Sequence, residues 1–203
     1  MLHAIRLRGS ADAAAVADRF DLDGQQTDAY LRDVEALGWV NRHEVPGSFG
    51  VRGGWTLTDA GRVAGEQALS AELDATGQRE RVQAQHRRFE QSIPRLMRAC
   101  TNWQIRPTAW DRSAVNDHTD WAWDERVLDD LAAIAVSLRE IVAGLSAGLS
   151  RFAGYDVRFA VALAKVDAGD GRWVDRPGVD SCHAVWFELQ EDLLATLALD
   201  RGT

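Results

Sequence analysis

The chain has 203 residues, enough for one domain or two small ones with a buried core. At 46% hydrophobic and 27% charged, without a low-complexity tract, its composition is globular, and its longest apolar runs, such as 131–137, are far too short to cross a bilayer as a helix. The net charge of −8 argues against a chain bound to nucleic acid over its whole surface, because such proteins are basic at least locally.

The opening residues, MLHAIRLRGSADAA, hold only a short apolar stretch interrupted by arginines, unlike a secretory signal, so the protein is read as cytoplasmic. Leu2, Ile5 and Leu7 predict a short first helix ended by Gly9-Ser10. Ser10 is expected to cap a second helix over 11–20, with Ala13, Val16, Ala17 and Phe20 inward. Residues 21–24 form a turn. Asp23 then caps a third helix over 25–37, whose inward stripe is Thr27, Tyr30 or Leu31, Val34 and Leu37. Gly38 follows, where helices commonly end in a left-handed residue. Residues 39–45 alternate as a strand, 46–50 turn, and 51–57 return as a second strand. Thr58 caps the next helix. Three helices, a hairpin and a helix is the order of a winged helix-turn-helix.

The stretch EALGWV…GGWTLTDAGR, Glu35 to Arg62, resembles the recognition-helix end, wing and following helix of MarR-type winged-helix transcriptional regulators, and the likeness covers residues 1–75. The resemblance implies a third helix whose N-terminal half enters the major groove, with the wing on the backbone or minor groove. It puts Gln25, Gln26 and Arg32 at the groove, where Gln pairs with adenine and Arg with guanine. It puts Arg42, His43 and Arg52 on the wing, with Arg6 and Arg8 as added backbone contacts. Asp28, Ala29 and Asp33 share the outward face, and the two aspartates would repel phosphates. Residues 1–75 carry seven Arg against twelve Asp and Glu, so the expected DNA-binding module is itself acidic.

Residues 57–75 and 78–100 read as long helices broken at Thr76-Gly77, and Pro94 predicts a kink or break in the second. Six Arg against two Glu over 79–98 form a basic stripe, read first as a solvated helix face and second as a contact for phosphate or an acidic partner. Of the 23 basic residues only Lys165 is a lysine, the mark of a high-GC coding sequence, so arginine excess alone says nothing about phosphate.

Residues 101–125, TNWQIRPTAWDRSAVNDHTDWAWDE, lack periodicity and are read as an ordered lid or pocket wall, since Trp103, Trp110, Trp121 and Trp123 argue against disorder. A helix over 127–149 has Leu128, Leu131, Ile134, Leu138, Ile141 and Leu145 on one stripe. Another over 152–166 carries Tyr155, Val157, Phe159, Val161 and Leu163, and residues 168–171 turn. The last, over 182–199, repeats Cys182, Val185, Trp186, Leu189, Leu193 and Leu197. With 78–100 these make a four-helix bundle. The tail DSCHAVWFELQEDLLATL, with CTNWQ and NDHTD, is similar to a group of regulators from high-GC bacteria, extending the resemblance over most of the chain.

Cys100 and Cys182 lack CxxC spacing and are read as small buried residues. Asn116, Asp117, His118 and Asp120, with Asp180 and His183, form the candidate metal constellation. The same residues serve as turn and cap chemistry, Asp180 capping the last helix, and no metal or cofactor is assigned. HExxH, GxSxG, P-loop and GxGxxG patterns are absent, and no enzyme is expected. A ligand pocket is expected instead, with Trp103, Trp110, Trp121, Trp123 and Trp186 as walls and Gln104, Arg106, His118 and His183 as polar groups. The alternative is that the tryptophans only cement the bundle.

The expected fold is mainly α: a winged helix-turn-helix over 1–75 with a β-hairpin wing, then an all-α bundle over 76–203 that holds an effector and dimerises. The expected function is a ligand-responsive transcriptional regulator that binds double-stranded DNA as a homodimer, without a membrane partner. The alternative is a winged-helix protein that binds no DNA and acts as a protein-interaction or small-molecule-binding accessory subunit.

Overall fold

Helical spacing of apolar residues, with side-chain caps at five helix starts, gives eight α-helices beside one two-stranded antiparallel sheet among the described residues. The computed structural model describes residues 1–47 and 50–199, without the side chains of 19, 44–47 and 50–53. The fold is mainly α with a β-hairpin, as expected. It divides into two compact units, Met1–Ala75 with Leu194–Thr203, and Thr76–Leu193.

In the first unit the order is α1 (Leu2–Arg8), α2 (Ala13–Phe20), α3 (Gly24–Ala36), β1 (Val40–Gly47), β2 (Gly50–Leu57) and α4 (Asp59–Ala75). This is the winged-helix order. The hairpin runs from Val40 opposite Leu57 to Gly47 opposite Gly50. The expected turn residues Ser48 and Phe49 lie outside the described residues. Asp12, not Ser10, caps α2, accepting from the Ala15 amide at 2.7 Å. Ser10 is drawn away because Ala11 exchanges backbone hydrogen bonds with Trp55, making the entry to α2 a third strand-like edge of the hairpin. Asp23 caps α3 as expected, accepting from the Gln26 amide at 2.8 Å.

Thr27, Leu31 and Val34 turn inward, but Leu37 does not: α3 stops at Ala36 and Leu37 is 61% exposed. Gly38 takes the left-handed conformation, φ 71°. Leu2, Ile5, Val16, Leu31, Val34, Val40 and Trp55 form the core, with Phe20, Tyr30, Trp39 and Leu57 packed against it. Each fully buried aliphatic side chain contributes about 1.5–3 kcal/mol, against about 1 kcal/mol for a cap. Packing therefore outweighs capping in holding the unit.

The second unit comprises α5 (Arg79–Gln104), α6 (Trp121–Ser146), α7 (Tyr155–Asp167) and most of α8 (Cys182–Leu197). Pro94 does not break α5, which continues ten residues beyond it. The irregular stretch is shorter than expected. Thr101–Gln104 is the last turn of α5 and Trp121–Glu125 the first of α6, because Asp120 caps α6 and accepts from the Trp123 amide. The α6 stripe is inward at Leu131, Ile134, Leu138, Ile141 and Leu145, with Val127 and Val142 beside it.

On α7 the buried positions are Tyr155, Phe159, Ala162 and Val166, at helical spacing. Val157 and Val161 lie on the opposite side and are exposed, because the alternating 155–163 pattern has the period of a strand and cannot face one way on a helix. The Trp186 indole of α8 stacks on Phe89 of α5 at 4.2 Å between ring centroids, with Phe159 of α7 edge-on at 6.4 Å. The arginine stripe of α5 is partly spent on its neighbour: Arg88 meets Glu140 at 2.6 Å and Arg95 meets Asp130 at 2.7 Å, both on α6. That favours the solvated-face reading, each exposed pair giving about 1 kcal/mol or less.

Candidate functional site

In the first unit, the α3 face expected to read DNA is outward. Gln25, Gln26, Ala29, Arg32 and Asp33 are exposed, and the capping Asp23 leaves the N-terminal turn of α3 open to solvent. Four expected contact residues have partners within the chain. Arg32 pairs with Asp28 one turn earlier at 2.6 Å, and the His43 ring nitrogen Nε2 lies 3.0 Å from the Ser10 hydroxyl. Arg42 lies over the Trp55 ring at 5.7 Å. Arg6 is bound to Glu66 at 2.5 Å and is no backbone clamp, whereas Arg8 is exposed. Arg52 stands opposite Val45 in the hairpin, and its side chain lies outside the described residues.

In the second unit, residues 105–120 form a small hairpin rather than a featureless loop. Ile105 bridges Val115, the Arg106 amide donates to the Ala114 carbonyl at 2.9 Å, and the Asn116 amide to the Gln104 carbonyl at 2.8 Å. The tip is closed by Thr108, whose amide donates to the Asp111 carbonyl and whose hydroxyl accepts from the Asp111 amide.

A buried polar knot anchors the base of this hairpin. Asn116 and Asp124 are both buried, and Asn116 Nδ2 donates to Asp124 Oδ1 at 2.8 Å and to the Trp103 carbonyl at 3.1 Å. His118 Nδ1 lies 2.9 Å from Asp124 Oδ2, so its Nε2 is the nitrogen left for an outside partner. The His118 ring tilts against Trp103 at 4.4 Å. His118 itself is left-handed, φ 57°, a conformation that costs a non-glycine residue about 1–2 kcal/mol. Its amide donates to Asn116 Oδ1, which helps hold that geometry. Arg106 reaches Asp120 at 3.3 Å and Asp117 at 3.6 Å, while its Nε is buried without a partner among the described residues. Asp117 sits below the usual carboxylate range because the Thr119 hydroxyl and amide donate to it.

The expected tryptophan pocket assembles only in part. Trp103, Trp123 and His118 gather at the hairpin base, Trp123 donating to the Asn102 carbonyl at 2.7 Å. Trp186 belongs to the core, and its indole Nε1 is buried without a partner among the described residues. Trp110 is 97% exposed at the hairpin tip and Trp121 73% exposed at the start of α6. Gln104 donates to Asp175, and His183 lies against Phe187, with burial lowering its pKa while Asp175 opposes the shift.

The metal constellation does not assemble. Arg158 holds Asp180 with two hydrogen bonds of 2.8 Å, and Ser181, not Asp180, caps α8, accepting from the Ala184 amide. Among the described residues no group of three or more His, Cys, Asp or Glu side chains is placed to hold an ion. Cys100 and Cys182 are buried, and burial pushes each thiol up to about 12, far from a reactive thiolate.

The sequence missed one concavity. A groove of about 360 Å³ lies along α7, lined by the apolar side chains of Val157, Val161, Trp173 and Val179 and by the charged Arg158, Lys165 and Asp180. The Lys165 ammonium lies 3.3 Å from the Trp173 ring centroid. Trp173 is fixed by its Nε1 donating to Asp170, a carboxyl that Arg172 holds down at about 2. Arg158 also binds Glu188, and these carboxylates keep it protonated although burial alone would lower its pKa.

Together these features define a mainly α protein with a winged-helix N-terminal unit and a helical second unit that displays an ordered, tryptophan-tipped hairpin. No protein-family model, curated protein or solved structure matches the chain.

Proposed function

We propose that the protein is a DNA-binding transcriptional regulator acting as a homodimer, in which the second unit dimerises and carries the response to an effector. The observation that supports it is the solvent-facing start of α3, where Gln25 and Gln26 stand exposed beside Ala29, within the helix–helix–hairpin order that places such a helix in the major groove. The effector reading rests on the hairpin base, where His118, oriented by Asp124, lies against the Trp103 face.

The test is fluorescence anisotropy of genomic fragments across salt. Retention at about 50 mM salt that falls steeply by about 200 mM is expected. Replacing Arg42 and Arg52 together by Ala should weaken binding to every sequence and lower the salt slope by about two. No retention of any fragment at low salt overturns the regulator reading.

A second reading, an accessory subunit whose winged helix docks on a protein, is favoured by the Asp28–Arg32 pair. That pair and the acidic balance of residues 1–75 put few uncommitted cations on the α3 face. This reading expects no DNA retention at any salt.

A further inference from the structure

Trp110 is a large indole held out in water by a hydrogen-bonded turn. Its backbone is already hydrogen-bonded across the 108–111 tip, so docking has only the indole's own rotamers left to order, and an indole presented in this way is suited to anchor on another surface. The α7 groove has the converse shape. At about 360 Å³ it is at the low end of small-molecule pockets, and its walls of Val157, Val161, Val179 and the Trp173 ring suit one aromatic side chain.

We propose that Trp110 of one copy seats in the α7 groove of a second copy, so that the chain dimerises by a reciprocal hairpin-into-groove contact. This rests on the homodimer part of the reading above. The charges agree with it. Asp111 and Arg112 follow Trp110 at the tip, and the groove lining includes Lys165 and, about two helical turns earlier on α7, Arg158 with the Asp180 it holds. Lys165 and Asp180 are thus set apart along the groove, so Asp111 can face Lys165 while Arg112 faces the carboxylate end. Among the described residues Lys165 has no ion-pair partner, its ammonium lying on the Trp173 ring. Each copy offers both the hairpin and the groove, so in the proposed dimer two contacts related by a twofold axis close the assembly, whereas one contact repeated head-to-tail would extend it.

Sedimentation equilibrium of the full chain tests this. The wild type should be a dimer, and Trp110→Ala and Val161→Asp should each weaken self-association at least about thirtyfold. Both positions are exposed, so circular dichroism and melting should be unchanged. A mixture of the two variants should associate more tightly than either alone, because the Val161→Asp copy still supplies an indole and the Trp110→Ala copy an intact groove. Lys165→Glu should weaken the dimer, and adding Asp111→Arg should restore it.

A wild-type monomer, variants that dimerise as tightly as wild type, or a mixture with no gain each overturns the contact. A dimer that retains no DNA would support this contact and sink the regulator reading. A monomer that retains DNA would do the reverse.

Discussion

Gly61 lacks a side chain because the carbonyl of Trp39 occupies the space where its Cβ would stand. The close approach is held by Thr58, whose hydroxyl donates to the Gly38 carbonyl at 2.7 Å and accepts from the Gly61 amide at 3.0 Å, while its own amide donates to the Trp39 carbonyl at 3.1 Å. The GWV and LTDAG segments are thus two halves of one joint that fixes the hairpin base to the start of α4.

Gly61→Ala should therefore cost about 3 kcal/mol, because the obstacle is backbone and cannot rotate away. Gly65, one turn later, is the internal control: a Cβ there meets only the Leu2 Cβ at 3.7 Å, an ordinary contact. Gly65→Ala should stabilise by about 0.5–1 kcal/mol through helix propensity. Urea unfolding midpoints of the two variants should move in opposite directions, and a shared direction would refute the joint.

Asp124 is the buried acceptor for both Asn116 and His118. Asp124→Ala leaves the Asn116 amide without its carboxylate in a buried place and should cost about 2–4 kcal/mol. His118→Ala removes a half-exposed ring and relieves a left-handed backbone only in part, so about 1 kcal/mol is expected. Thermal melting of the pair should rank them in that order.

Cys100 and Cys182 should resist a thiol-specific reagent at pH 8 in the native chain and react at once in guanidinium, because burial disfavours both thiolates. The sign for stability follows from the raised folded pKa. Its contribution is complete below the ordinary thiol pKa of about 8.5 and is lost as pH rises from there toward 12. Unfolding free energy measured from pH 8 to 11 should fall, and less steeply when both cysteines are replaced by Ala.

Pro94 lies exposed within α5 and cannot donate the amide that the helix ladder expects. Pro94→Ala should raise stability by about 1–2 kcal/mol, the restored bond exceeding the lost stiffness of the unfolded chain. A lower melting temperature would mean that the proline shapes α5 in a way the bundle needs.

Sequence alone determined the elements whose signals are local. Asp23 before α3, Gly38 after it, Thr58 before α4 and the helical stripes of α6 and α8 are read within a few residues, because a cap or a turn involves only its near neighbours. Tertiary structure decided everything that depends on a distant partner. Ser10 lost the α2 cap to Asp12 because Ala11 pairs with Trp55, and the segment read as irregular became a hairpin because Ile105 finds Val115. The candidate site was legible only as composition. Four tryptophans near NDHTD marked the region, yet which of them would be anchored and half-buried and which left in water depended on Asp124, Asn102 and the 108–111 tip. The α7 groove left no trace in sequence, since Val157 and Val161 carry the same apolar signal as a core stripe. Only the side of the helix that faces Trp186 distinguishes one from the other.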